Sequence, residues 1–331
     1  MGTTKGGAFD IDEEQALAFL HAPNPHGRPN SDVVVPWVNG LDITRRPRNM
    51  WIIDFGVGMS EEDAAKYEAV FRYAEEHVKP VRATNARETY KRFWWRHVES
   101  RPAMRKALAP LKRFLVTMTV SKHRLFAWME SPVQPDHQLF AFAREDDYFM
   151  GILQSKVHEV WALAQGTQLR EKESGFRYTP SSCFETFPFP DLTGPDGEAK
   201  REAVAEAARE LDELRTRWLN PPEWTREDVL EFPGSVNGPW QRHLDPATVD
   251  PATGVGLVRY PRRLPRDPAS AKLLQKRTLT ALYNERPAWL HHAQQKLDET
   301  VCELYGTVQS ARPDEMLQCI SNGGAQNRSA P

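Results

Sequence analysis

The chain has 331 residues, of which 40% are hydrophobic, and a formal net charge of −2. This length and composition suffice for one large domain or two moderate ones with a sizeable core. No apolar run approaches the roughly 18 residues of a membrane span, and the first residues lack the apolar region of a secretory signal. The three cysteines, Cys183, Cys302 and Cys319, are far apart and form no CxxC pair. They support neither a disulfide framework nor a zinc site, so we expect a reducing compartment, the cytoplasm.

The first half of the chain alternates short apolar runs with helical patterns. Residues 1–30 are polar and end in a loop rich in Pro, Asn and Gly, and Ser60 with Asp63 has the spacing of a helix-capping box. Consecutive β-rich runs joined by polar turns predict a small antiparallel or mixed sheet. The predicted strands are Val33–Val35, Trp51–Phe55, Phe114–Val120, Leu125–Met129 and Leu139–Ala143. The predicted helices lie at about 60–77, 86–98, 103–108 and 152–164.

The composition changes after Pro190. Residues 198–218 are rich in Ala, Glu and Arg, which predicts a long polar helix. Many prolines in residues 220–270 predict an irregular linker, followed by helices at about 272–283 and 289–305. Residues 307–331 are polar and predict a disordered tail.

These elements predict an α/β mixed (α+β) fold, in which a small mixed sheet with packed helices precedes a mainly helical C-terminal part. The predicted division has an N-terminal segment at 1–30 and a body domain at 31–190. A helical C-terminal region follows at 191–306, with the irregular linker at 220–270 inside it, and the tail is 307–331.

Positive charge is concentrated between Lys79 and Arg124, where thirteen basic residues meet only Glu88 and Glu99, a net charge of +11. The rest of the chain is therefore strongly acidic. Solvated protein surfaces normally mix both signs, so a segment of one sign favours a polyanion, and above all nucleic acid, as its partner.

Aromatic residues are interleaved with these charges, among them Tyr90, Phe93, Trp94 and Trp95. Two interpretations stay open: the rings are core residues of an amphipathic helix, or they stack on exposed bases. The Ser121–Arg124 turn (SKHR) between two predicted strands is equally open. It is either an ordinary polar turn or a set of donors for phosphates and base edges.

Two fragments suggest an S-adenosylmethionine-dependent methyltransferase. Asp54–Gly58 resembles a cofactor-binding turn, and Asn220–Pro222 resembles the Asn-Pro-Pro-aromatic loop of amino-methylating enzymes. The first leads into an acidic helix. In the second, Glu223 stands where a ring should stack on the flipped base, and Trp224 comes one position late. Catalytic residues are therefore not predicted, and His158, which lies in a helical pattern, is expected to be structural.

Several stretches together resemble the target-recognition and C-terminal region of MmeI-like (type IIG/IIL-like) adenine-specific DNA methyltransferases. The resemblance covers residues 30 to 306 in order and spacing. The stretches that carry it are Asp32–Asp42, Trp51–Gly56, Val78–Arg82, Trp94-Trp95, Ser121–Phe126, Tyr148–Trp161, Tyr178–Pro190, Asp298–Val301 and Tyr305-Gly306. The chain begins at Met1 close to where the recognition region would start, so a separately encoded subunit or a truncated gene product is expected. The polar sequence after Gly306 departs from the family pattern, which suggests a frameshifted or divergent tail.

The resemblance implies that residues 31–190 are a target-recognition domain that positions double-stranded DNA for a catalytic methyltransferase domain or subunit. It implies no cofactor in this chain, S-adenosyl-L-methionine in the complete enzyme and methylation of adenine N6. The lack of a long apolar run predicts no membrane partner. The alternatives are a self-contained methyltransferase and a basic protein-interaction module. The predicted DNA-binding residues are Lys91, Arg92, Arg96, Arg101, Arg105, Lys112, Arg113, Ser121, Lys122, His123 and Arg124.

Overall fold

The computed structural model describes residues 1–168 and 175–326. About 45% of the residues are helical and 19% are in strands, which confirms the predicted α+β class. The strands are β1 Asp10–Ile11, β2 Val34–Val38, β3 Trp51–Ile53, β4 Arg113–Met118, β5 Val120–Ser121, β6 Phe126–Glu130, β7 Gln134–Pro135, β8 Leu139–Phe142, β9 Thr167–Gln168, β10 Phe176–Arg177, β11 Thr225–Ser235 and β12 Val255–Pro265. The helices are α1 Glu13–His21, α2 Gly40–Thr44, α3 Glu61–Ala65, α4 Glu68–His77, α5 Lys79–Ala83, α6 Glu88–Arg92, α7 Pro102–Leu108, α8 Asp147–Gln154, α9 Lys156–Gln165, α10 Gly197–Leu219, α11 Pro268–Leu274, α12 Leu279–Glu285, α13 Ala288–Leu304 and α14 Pro313–Gln326.

The chain forms two compact units that are interleaved in sequence. Unit 1 consists of Met1–Phe114, Met129–Ala143 and Thr225–Ser270. Its main sheet has the order β1-β3-β2-β7, antiparallel between β1, β3 and β2 and parallel between β2 and β7. The apolar residues of β2 and β3 are buried because both faces of these strands are covered.

A long β-hairpin completes unit 1 where the sequence predicted an irregular linker. Strands β11 and β12 pair antiparallel over eleven residues each, from Thr225 opposite Pro265 to Ser235 opposite Val255. Leu230 and Phe232 alternate inward and are buried with Val258 in the core of unit 1. The linker prediction is wrong for these strands. A two-stranded ribbon has only edge strands, which tolerate the prolines that were interpreted as loop.

Unit 2 consists of Leu115–Trp128, Arg144–Trp224 and Ala271–Pro331, of which the structure describes the residues named above. Helix α10 packs against α8 and α13, and α14 packs against α9. A Cβ atom added at Gly151 of α8 would lie 2.7 Å from Val204 of α10, so the small residue permits a close approach of the two helices. A small sheet with the order β5-β10-β9 lies in the same unit.

Two further expectations need correction. Residues 307–331 were predicted to be a disordered tail, but residues 313–326 form α14, in which Met316 and Ile320 are completely buried. Their spacing of four residues places both on one face, so the apolar stripe outweighs the polar composition. Residues 327–331 lie outside the described residues. The helix predicted at about 86–98 ends at Arg92, and the chain that follows buries Trp94 and Trp95.

Two properties of the described residues bear on function. None of the helices in the described ranges is long and apolar enough to cross a membrane. Across residues 1–168 and 175–326, there is no group of three His, Cys, Asp or Glu side chains that could hold a metal ion.

Candidate nucleic-acid interface

The basic segment is anchored in unit 1 by its tryptophans. Trp94 and Trp95 are 5% and 4% exposed. Trp94 Nε1 donates to Glu61 Oε1 at 2.9 Å, and Trp95 Nε1 donates to the Met59 carbonyl at 3.0 Å. Of the two interpretations, these contacts support the core role for both rings, because rings buried in this way present no face to a base.

Several arginines of the segment hold the fold together. Arg82 is 1% exposed, and its Nη2 donates to the carbonyls of Lys5 and Arg96, each at 2.9 Å. Arg96, a predicted DNA contact, donates from Nη2 to the Met59 carbonyl at 2.6 Å. Its guanidinium also lies over the Trp95 ring. Such charge-assisted bonds to backbone carbonyls favour a structural role for both side chains.

Arg105 and Arg101, also predicted contacts, have partners inside unit 1. Arg105 Nη1 lies 2.5 Å from Asp54 Oδ2, and its Nε donates to the Ser100 carbonyl at 2.5 Å. Arg101 Nε donates to the Gly2 carbonyl at 3.3 Å, and its Nη1 lies 3.4 Å from a carboxylate oxygen of Glu99. Burial alone would raise the pKa of Asp54, but the nearby charges of His97 and Arg105 hold it below its usual value.

The exposed cations of unit 1 are the best candidates for phosphate contacts. Lys91 pairs with the exposed Glu88 at 2.7 Å, an ion pair that costs little to open. Arg92, Lys106 and Lys112 are exposed, and helix α7 contains no acidic residue. Arg113 is partly buried at the start of β4. Lys106 belongs to the basic segment but was not among the predicted DNA-binding residues. Because it is exposed, we add it to the candidate phosphate contacts.

In unit 2, the Ser121–Arg124 turn presents only some of its side chains. Ser121 lies in β5 and is buried, whereas Lys122 is exposed. Lys122 Nζ donates to Asn284 Oδ1 at 2.8 Å, and His123 Nε2 lies 2.9 Å from the same oxygen. These two side chains are therefore the part of the turn that a phosphate or base could reach.

Arg124 points back into unit 2. Its Nη1 donates to the Thr117 hydroxyl at 3.2 Å and to the Met118 carbonyl, and its Nη2 donates to the Phe176 carbonyl at 2.9 Å. The guanidinium lies 4.9 Å from the centre of the Tyr178 ring, and burial lowers the pKa of Arg124 to about 10. This placement favours a structural role for Arg124 over the base contact predicted from the sequence.

A cavity of about 310 Å³ lies beside this turn in unit 2. His123, Lys156, Tyr283, Gln294 and Asp298 are among its lining residues. Asp298 is buried and accepts hydrogen bonds from the Lys156 backbone N–H at 2.8 Å and from Gln294 Nε2 at 3.0 Å. Burial raises the pKa of Asp298 above its usual value. The sequence could not bring these residues together, because about 160 residues separate His123 from Tyr283.

The two methyltransferase-like fragments are used for other purposes. The Asp54 carboxylate, which would face a cofactor, pairs with Arg105 and accepts the Gly56 backbone N–H at 3.0 Å. Trp224, the ring after Asn220–Pro222, stacks against the Arg277 guanidinium at 5.0 Å. The Asp54 carboxylate and the Trp224 ring therefore both have partners within the chain.

Comparison with known proteins supports the resemblance seen in the sequence. Residues 43–191 match the family described as MmeI, target recognition domain. In fold, the chain is similar to a chain in the structure of the Type IIL restriction-modification enzyme MmeI in complex with DNA. That match has a TM-score of 0.64 and 16% sequence identity, and it covers 99% of this chain. No curated protein matches in sequence.

The MmeI chain is longer than this chain. This chain spans 35% of the length of the MmeI chain. The predicted resemblance to the MmeI target-recognition region is confirmed over residues 43–191, which include the whole basic segment from Lys79 to Arg124.

Proposed function

We propose that the chain is a DNA target-recognition module of an MmeI-type restriction-modification enzyme. One observation carries this proposal: the segment with a net charge of +11 lies entirely within the residues that match the MmeI target recognition domain. The MmeI chain with the similar fold belongs to an enzyme whose structure was solved in complex with DNA, which supports duplex DNA as the partner.

The phosphate contacts come from the exposed cations and not from the whole basic segment. Arg92, Lys106 and Lys112 are exposed and Lys91 is partly exposed in unit 1, and Lys122 is exposed in unit 2. Contacts of Lys and Arg with phosphates release counterions from DNA, so affinity and its dependence on salt both follow from their number. Arg96, Arg101, Arg105 and Arg124 support the surface through their contacts within the chain.

The module positions DNA for a methyltransferase catalytic domain or subunit formed by other residues, which methylates adenine N6 with S-adenosyl-L-methionine. This part of the proposal extends the family resemblance. In the two methyltransferase-like fragments, Asp54 is paired with Arg105 and Trp224 is stacked on Arg277, and these contacts speak against a cofactor site there. A self-contained methyltransferase is therefore disfavoured. The cytoplasm stays the predicted location.

Binding of duplex DNA and of S-adenosyl-L-methionine, measured on one preparation, tests the proposal. We expect fluorescence anisotropy to detect binding of a labelled duplex and titration calorimetry to detect no heat of cofactor binding. Cofactor binding would make the chain an enzyme candidate in its own right. Binding to heparin that equals binding to duplex DNA would support the alternative of a basic protein-interaction module.

A further inference from the structure

A groove in unit 1 has the chemistry of a surface that reads bases. Its volume is about 640 Å³, and it lies between helix α7, the segment 131–135 and the loop 237–242. None of these lining segments includes the Ser121–Arg124 turn, which was the predicted site of base readout.

The loop that forms one wall of the groove is held in place by a buried tryptophan. Trp240 is 1% exposed, and its Nε1 donates to the carbonyls of Ser31 at 3.0 Å and Val34 at 3.2 Å. Arg242 Nη2 donates to the Pro110 carbonyl at 2.6 Å, and His243 Nε2 donates to the Ser131 carbonyl at 3.2 Å. A loop fixed at several points can present its side chains in one geometry, as recognition requires.

Three amide side chains line the groove, and their donor and acceptor groups make no hydrogen bond within the described part of the protein. Gln134 is partly exposed at the start of β7, and Asn237 and Gln241 are exposed on the loop. Their side chains make no hydrogen bond to any described residue. Each amide offers a donor and an acceptor side by side, the pairing that adenine N6 and N7 present in the major groove.

The charge and the apolar part of the groove suit DNA as well. Among its described lining residues none is acidic, and the exposed Arg242 contributes positive charge. Val133, which is partly exposed, supplies apolar surface of the kind that contacts a thymine methyl group. The exposed Lys106 lies on the same helix as Arg105, so a phosphate contact can adjoin the groove.

We propose that this groove reads base edges of duplex DNA, with Gln134, Asn237 and Gln241 selecting adenine. The inference rests on the proposed function, because it requires that the chain bind duplex DNA. It assigns specificity to amide side chains that carry no net charge, whereas the exposed cations supply affinity.

Selection from a random-sequence duplex library tests this assignment. The wild-type chain, the triple variant Gln134→Ala/Asn237→Ala/Gln241→Ala and the three single variants are each used to enrich bound duplexes, which are then sequenced. Gln318→Ala is the matched control, since it removes an exposed amide on α14 in unit 2. Affinity for the unselected library is measured for every variant.

We expect the wild type to enrich a motif that contains adenine and the triple variant to lose preference by roughly tenfold at each adenine that it no longer reads. Each single variant should lose base preference at a different position of the enriched motif. Affinity for the unselected library should change less than about twofold. The Gln318→Ala control enriches the wild-type motif.

The possible failures are distinguishable. A wild-type chain that binds no duplex overturns the proposed function and this inference with it. A wild type that binds without enriching a motif, or a triple variant that enriches the unchanged motif, overturns the inference alone. A triple variant that remains folded but loses affinity for all sequences assigns the groove to the DNA backbone and also overturns it.

Discussion

Replacement of Arg124 separates a structural role from a role in base recognition. The guanidinium donates to the Thr117 hydroxyl and to the carbonyls of Met118 and Phe176, and it lies against the Tyr178 ring. Hydrogen bonds from a charged group contribute about 1.5–3 kcal/mol each, but they are not additive, because water reaches part of the space after truncation. We expect Arg124→Ala to lower the free energy of unfolding by about 3 kcal/mol.

Urea unfolding followed by circular dichroism measures this loss. Lys122→Ala is the matched control, since it removes an exposed cation from the same turn and should cost about 0.5 kcal/mol or less. Under conditions where Arg124→Ala stays folded, its sequence preference should equal that of the wild type. An unchanged free energy of unfolding, together with relaxed preference at one base pair, would refute the structural role and restore the predicted base contact.

Three further predictions concern buried groups and exposed cations. Asp54→Asn should cost about 3 kcal/mol at neutral pH because it leaves Arg105 without its buried partner. Since the pKa of Asp54 is lowered on folding, this difference in unfolding free energy should shrink as pH falls through the lowered pKa. Burial lowers the pKa of His158 to about 3, so the wild type should lose stability at about 1.4 kcal/mol per pH unit as pH falls from about 6.5, and His158→Gln should reduce that slope in urea titrations. Lys106→Ala should reduce the magnitude of the slope of log affinity against log salt concentration for duplex binding by about one unit. Substitution of Arg96, which donates to the Met59 carbonyl, should mainly lower the free energy of unfolding.

Much of unit 1 follows from local sequence patterns. Val34-Val35 and Trp51–Ile53 form buried strands because their β-branched and aromatic residues suit a covered sheet. Ser60 begins a helix as predicted, and its hydroxyl accepts the Asp63 backbone N–H at 3.0 Å. These features depend on neighbours within a few residues, so the sequence alone predicts them.

The hairpin and the surface chemistry depend on distant contacts. Phe232 is buried with Trp240, whose indole N–H donates a hydrogen bond to the Ser31 carbonyl. Because about 200 residues of chain separate Ser31 from Trp240, no local sequence pattern predicts this contact. The charge count likewise treats all basic residues alike, although Arg82 is buried and Arg92 is exposed. Composition therefore predicts the sign of the surface charge, but the tertiary structure decides which cations are accessible.

The dependence of duplex binding on salt concentration tests the central claim most directly. If about five phosphates are contacted by the exposed cations, the logarithm of affinity should fall against the logarithm of salt concentration with a slope of about −4 to −5. The double variant Arg92→Ala/Lys106→Ala should reduce that slope by about two while the fold is kept. An affinity that does not change with salt, or a slope that the double variant leaves unaltered, would contradict the assignment of the DNA-binding surface.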